Sequence, residues 1–65
     1  MSTSDLYALE NSRLNSLPHE DRCTAWYCLC RHLAEYDMSV QEALVWVEYD
    51  YGFRADPDEP WSYTP

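Results

Sequence analysis

Ser39-Val40-Gln41-Glu42-Ala43-Leu44-Val45-Trp46-Val47-Glu48-Tyr49-Asp50-Tyr51-Gly52 reads as one helix with both ends marked. Ser39 and Glu42 stand at capping-box spacing, where a serine hydroxyl and a glutamate side chain each satisfy an orphan amide of the first turn. Val40, Ala43, Leu44, Val47 and Tyr51 then recur at i, i+3, i+4, i+7 and i+11, the period of one helix face. Gly52, the only glycine in 65 residues, falls where a left-handed residue ends a helix. The spacing predicts a helix over 40–51 whose opposite face carries Glu42, Val45, Trp46, Tyr49 and Asp50.

Upstream, residues 18–36 predict a second helix. Pro18 suits its first turn and Ser16 is the candidate cap. Trp26, Leu29, Cys30, Leu33 and Tyr36 form a stripe, widened by Cys23, Ala25, Tyr27 and Ala34, while Thr24, Cys28, Arg31 and Glu35 lie opposite. So broad an apolar arc predicts a central helix touching both others. Residues 5–17 predict the first helix, with Ser4 as its cap and Asp5 in the first turn, where the helix dipole favours an anion. Leu6, Tyr7, Leu9, Leu14 and Leu17 share its inner arc. Asn11, Ser12 and Asn15 face out, and Glu10 and Arg13 stand at pairing distance. Downstream of Gly52, Pro57, Pro60 and Pro65 forbid regular helix, and Trp61 and Tyr63 are placed to tether the segment to the helices. The expected fold is all-α: a compact three-helix domain over residues 1–53, followed by an extended, proline-rich acidic tail over residues 54–65.

Length and composition bound the rest. A 65-residue chain is one domain, and a domain of this size buries roughly 60% of the surface its unfolded chain exposes. Such a core rarely supplies more than about 3–5 kcal/mol. Disorder is nevertheless not expected, because 46% of residues are hydrophobic and ten are aromatic. Met1–Asp5 does not read as a signal peptide, and no apolar run reaches the length of a membrane span. With three cysteines, an odd number, free thiols in a reducing cytoplasm are expected.

His19, Cys23, Cys28, Cys30 and His32 crowd into one helix, which raises the question of zinc. Cys28 and Cys30 point about 200° apart on a helix, and Cys23 and Cys30 are separated by about 10 Å of axis. His19–Cys23 and Cys28–His32 are each sound i,i+4 pairs, but they point in different directions, so no tetrahedral set assembles. No metal or other cofactor is expected, and Cys23 and Cys30 read as small core residues with Cys28 more exposed. Cys28 and His32 share a face, but mid-helix, without the helix N-terminus or cation that activates a thiol. The chain is not expected to be an enzyme.

Charge is the remaining signal. Residues 35–65 carry Glu35, Asp37, Glu42, Glu48, Asp50, Asp56, Asp58 and Glu59 against Arg54 alone, a net of −7. Residues 1–34 carry four acids against three arginines, a net of −1, and lysine is absent throughout. Adaptation to high salt would spread acids over the whole surface, whereas these are concentrated. A field of this kind attracts basic surfaces and repels nucleic acid and anionic membranes. At one charge per ~1.7 Å of duplex axis, seven charges match about 12 Å of DNA. Carboxylates held on helices accept bidentate hydrogen bonds from arginine much as phosphates do.

A very small, acidic, lysine-free chain with aromatics among its acids resembles the phage-encoded DNA-mimic inhibitors of the anti-CRISPR type, including those directed at type I surveillance complexes. The resemblance is one of size, charge and composition over the whole chain. It implies a stoichiometric inhibitor in the host cytoplasm that blocks a CRISPR effector subunit where the protein reads the short DNA motif (PAM) beside its target. The expected partner-binding residues are Glu35, Asp37, Glu42, Trp46, Glu48, Tyr49, Asp50, Asp56, Asp58 and Glu59. The partner is a basic DNA-binding protein rather than nucleic acid or membrane, and the chain itself is expected to be a monomer rather than a homodimer. The alternative is a small protein–protein adaptor or homodimeric module anchored by exposed aromatics, with its charge serving solubility. Trp46 divides these readings: covered by the first helix or the tail it is core, and uncovered it is an anchor.

Overall fold

A computed structural model describes residues 2–57. Its elements are α1 (Thr3–Asn11), a 3-10 turn (Arg13–Ser16), α2 (His19–Glu35) and α3 (Val40–Asp50). The architecture is all-α with three helices, as the periodicity predicts. α3 packs most extensively on α2 and also against α1, and the 3-10 turn packs on α2. α2 thus touches both α3 and the 13–16 part of the expected first helix, as the breadth of its apolar arc predicts, and α3 is equally central. Its inward residues Ala43, Leu44 and Val47 are buried, with Val40 and Tyr51 packed against them. Each helix also contributes one buried alanine, Ala8, Ala25 and Ala43. Leu14 and Leu29 complete the core.

The first helix is shorter than its sequence pattern and begins earlier. Ser2, not Ser4, caps it: the Ser2 hydroxyl accepts from the Asp5 amide at 3.1 Å. It ends at Asn11 because side chains take over the last carbonyls. The Asn11 amide donates to the Tyr7 carbonyl at 2.9 Å, and the Asn15 amide donates to those of Leu9 and Glu10 at 2.9 and 3.2 Å. These are the orphan acceptors that every helix C-terminus must satisfy. Ser12 turns extended and caps the 3-10 turn by accepting from the Leu14 amide at 3.2 Å. The expected Glu10–Arg13 pair does not survive this break, and Leu6 lies half exposed rather than inside.

α2 begins after Pro18 without a side-chain cap; the Ser16 hydroxyl donates instead to the Arg13 carbonyl at 2.6 Å. Its buried positions are Ala25 and Leu29, flanked by Trp26, Cys28 and Leu33. This phase reverses the expectation for the thiols: Cys23 and Cys30 are exposed, and Cys28 packs against the core. Tyr27, Ala34 and Tyr36 are exposed as well. The helix closes through Asp37, whose φ of 52° is the left-handed conformation that asparagine and aspartate tolerate best among non-glycines.

The glycine end of α3 matches its sequence signal, and of the expected capping box the serine half forms while the Glu42 carboxylate does not return to the Ser39 amide. The Ser39 hydroxyl accepts from the Glu42 amide at 3.2 Å. At the other end Gly52 adopts φ +82°. Its amide donates to the Tyr49 carbonyl at 3.1 Å, and the Phe53 amide donates to that of Glu48 at 2.8 Å. This pair of bonds is a Schellman closure. The reversal aims Arg54 back at the helix, where it is buried. The folded unit thus extends past residue 53 and includes the first residue of the expected tail; the rest of that tail from Asp58 onward, with Trp61 and Tyr63, lies outside the described residues.

Candidate functional site

The Schellman turn decides the fate of one expected surface acid. Glu48 lies eight residues after Val40, on the inward arc of α3, and none of its surface is exposed. Arg54 Nε donates to Glu48 Oε1 at 2.9 Å and the Ser12 hydroxyl donates to Oε2 at 2.6 Å. Ser12, predicted to face solvent, is buried with them. The triad joins α1's end, α3 and the chain after α3 by charge-assisted hydrogen bonds, the stronger kind. Glu48 is thereby removed from the partner-binding set: its carboxylate is committed to the interior. The clue was available in the sequence, since a glutamate in phase with Leu44 and Val47 needs a buried cation, and Arg54 is the only one nearby.

The opposite face of α3 is a surface of mixed character. Glu42, Trp46, Tyr49 and Asp50 occupy i, i+4, i+7 and i+8, and all four are exposed. Glu42 and Asp50 are separated by about 12 Å of helix axis at ~1.5 Å per residue. Between them the Trp46 and Tyr49 rings meet edge to face, with centroids 6.4 Å apart and planes at 89°. Trp46 remains 38% exposed and Tyr49 41%. Trp46 is therefore not enclosed as core by the described residues. The edge-to-face arrangement is the one that aromatic quadrupoles favour, so the two rings present one joint surface.

The other expected acids are scattered. Glu35 is tied to Arg31, whose Nη2 and Nε donate to one carboxylate oxygen at 2.8 and 3.1 Å. The Glu35 carboxylate, as acceptor and as opposite charge, holds the Arg31 pKa above its ordinary value. Glu35 thus carries a local counter-charge. Asp37 and Asp56 are exposed, on the turns after α2 and α3. Asp58 and Glu59 lie outside the described residues. From the expected set, the structure brings together Glu42, Trp46, Tyr49 and Asp50 on one helix face.

The cysteine–histidine pairs keep apart. Cys23 Sγ lies 3.7 Å from His19 Nε2 near the start of α2, while His32 Nδ1 donates to the Cys28 carbonyl at 2.8 Å farther along. Among the described residues no three histidine, cysteine or acidic side chains are grouped to hold a metal ion, and no helix is long and apolar enough to cross a membrane. The chain matches no family model, no curated protein sequence and no solved structure.

Proposed function

We propose that this chain is a stoichiometric binding protein that docks the outer face of α3 onto a basic, DNA-binding protein surface and thereby excludes DNA. The observation that carries the reading is the acid–aromatic–acid stripe of Glu42, Trp46, Tyr49 and Asp50, exposed on a helix whose other face is the core. A carboxylate at each end supplies acceptors for arginine, and the aromatic pair between them supplies apolar area of the kind that anchors interfaces. The charge of the whole chain, −8, steers such a partner and repels nucleic acid. In its most specific form, which the likeness to anti-CRISPR DNA mimics suggests, the partner is a host surveillance complex and the blocked site is its PAM reader.

The test is charge reversal. Glu42→Lys combined with Asp50→Lys alters two exposed side chains and leaves the fold intact. It should abolish inhibition of DNA binding by the target, and duplex DNA should compete with the unaltered chain. Full inhibition by the folded double variant would refute the reading. The adaptor reading rests on the same stripe, because the aromatic pair is exposed beside the acids. It expects binding that survives charge reversal and is lost in Trp46→Ala.

A further inference from the structure

Away from the α3 stripe, the three helices leave an open apolar groove of about 540 Å³, walled by Leu9, Trp26, Leu29, Leu33 and Val40. Its floor along α2 runs from Trp26 to Leu33, about 10 Å or two helical turns at ~1.5 Å per residue. Trp26, Leu33 and Val40 are only partly buried by the chain's own core. An apolar trough of this length matches the anchors of one face of a docked amphipathic helix, spaced i, i+3, i+4 and i+7.

Charge selects the occupant. Among the described residues, the single charged residue lining the groove is Glu10, which is exposed; its carbonyl serves Asn15, while its carboxylate bonds to no described residue. The described residues carry ten carboxylates against four arginines, a net of −6. Arg54 is buried with Glu48, and Arg31 is paired with Glu35. A second copy would bring the same excess of negative charge and no lysine, so self-association through this groove is opposed electrostatically. We infer that the groove seats a short amphipathic helix of the partner, its aliphatic side chains in the trough and a lysine or arginine beside Glu10. This rests on the reading of the partner as basic and adds a second point of attachment, distinct from the α3 stripe.

The probe is a synthetic leucine–lysine amphipathic peptide of roughly 15 residues, near the lower length for a stable helix, titrated into the isotope-labelled chain at about 0.15 M salt. Amide shifts should concentrate on Leu9, Trp26, Cys30 and Leu33. Cys30 is exposed and lines the groove, so Cys30→Trp fills the trough without disturbing the core. It should weaken the peptide about tenfold, the scale of one lost anchor, and Glu10→Gln should weaken it by a smaller factor. A leucine–glutamate peptide should not bind. Shifts confined to Glu42–Asp50, undiminished affinity in folded Cys30→Trp, equal binding of the acidic peptide, or concentration-dependent self-association that protects the groove would each overturn the inference. The two proposals fail separately. Loss of the physiological partner in Cys30→Trp alone implicates the groove, and loss in Glu42→Lys/Asp50→Lys alone implicates the stripe.

Discussion

At the scale of single residues, Glu48 has the largest consequences. A buried ion pair is weak evidence of net stabilisation, because desolvating both charges offsets their attraction, yet removing one partner strands the other at a cost of about 3–5 kcal/mol. That is comparable to everything a core of this size supplies, about 3–5 kcal/mol. Glu48→Ala should therefore leave the chain largely unfolded at room temperature by circular dichroism. The joint replacement Glu48→Leu/Arg54→Met, which removes both charges and keeps apolar volume, should fold and recover most of that loss, less about 1–3 kcal/mol for the buried Ser12 hydroxyl it leaves without its acceptor. If Glu48→Ala unfolds as cooperatively as the parent at the same urea midpoint, the triad with Ser12 is not holding these segments together. Gly52 gives a cleaner case. Nothing lies within 4 Å of the position a Cβ would take, so Gly52→Ala meets no steric obstacle. Its cost of about 1–2 kcal/mol is the left-handed backbone alone, readable as a shift of the urea midpoint at unchanged slope.

At the scale of elements, legibility followed how local the deciding interactions are. α3 was readable end to end because its cap, stripe and glycine all act within one helix. The first helix was not, since its break at Ser12 depends on a hydroxyl that caps Leu14 while bonding to Glu48, 36 residues away. On α2 the stripe of Trp26, Leu29 and Leu33 was legible, with Ala25 beside it, but the side on which Cys23, Tyr27, Cys28, Cys30, Ala34 and Tyr36 fall was not, for a related reason. Cysteine, tyrosine and alanine suit either side of a helix, and contact with α3, not their hydrophobicity, set which side was buried. The stripe at Glu42, Trp46, Tyr49 and Asp50 was visible in the spacing, but the loss of Glu48 from the acidic set required the Schellman reversal that delivers Arg54. Tyr51, at the C-cap of α3, reports on this packing through its proton. Burial against the core, then the negative charges of Cys28, Asp21 and Asp50, raise its phenol above the ordinary value of 10.0. The folded state therefore favours the neutral phenol. That contribution is complete below about pH 10 and is lost as pH rises through the higher folded value. Tyr51→Phe should flatten the alkaline fall of the melting temperature above pH 10. An unchanged alkaline limb in the variant would place the sensitivity in other groups.

At the scale of the whole molecule, one property acts in two directions. A net charge of −8 without lysine repels itself in the folded state and attracts a basic partner, and both effects pass through solvent. Screening shortens from about 10 Å at 0.1 M salt to about 3 Å at 1 M, so added salt should stabilise the free chain while loosening its complex. For a domain of this size each kcal/mol of relieved repulsion should raise the melting temperature by about 4–8 °C. An exchange of nucleic acid-like contacts predicts that binding weakens steeply over the same range. Each half has its own control. In Glu42→Lys/Asp50→Lys the chain is less negative by four charges, so its melting temperature should rise less with salt than the parent's. Should the free chain gain stability with salt while the complex holds its affinity, the field is real but unused in recognition, and the aromatic pair of Trp46 and Tyr49 carries the binding instead.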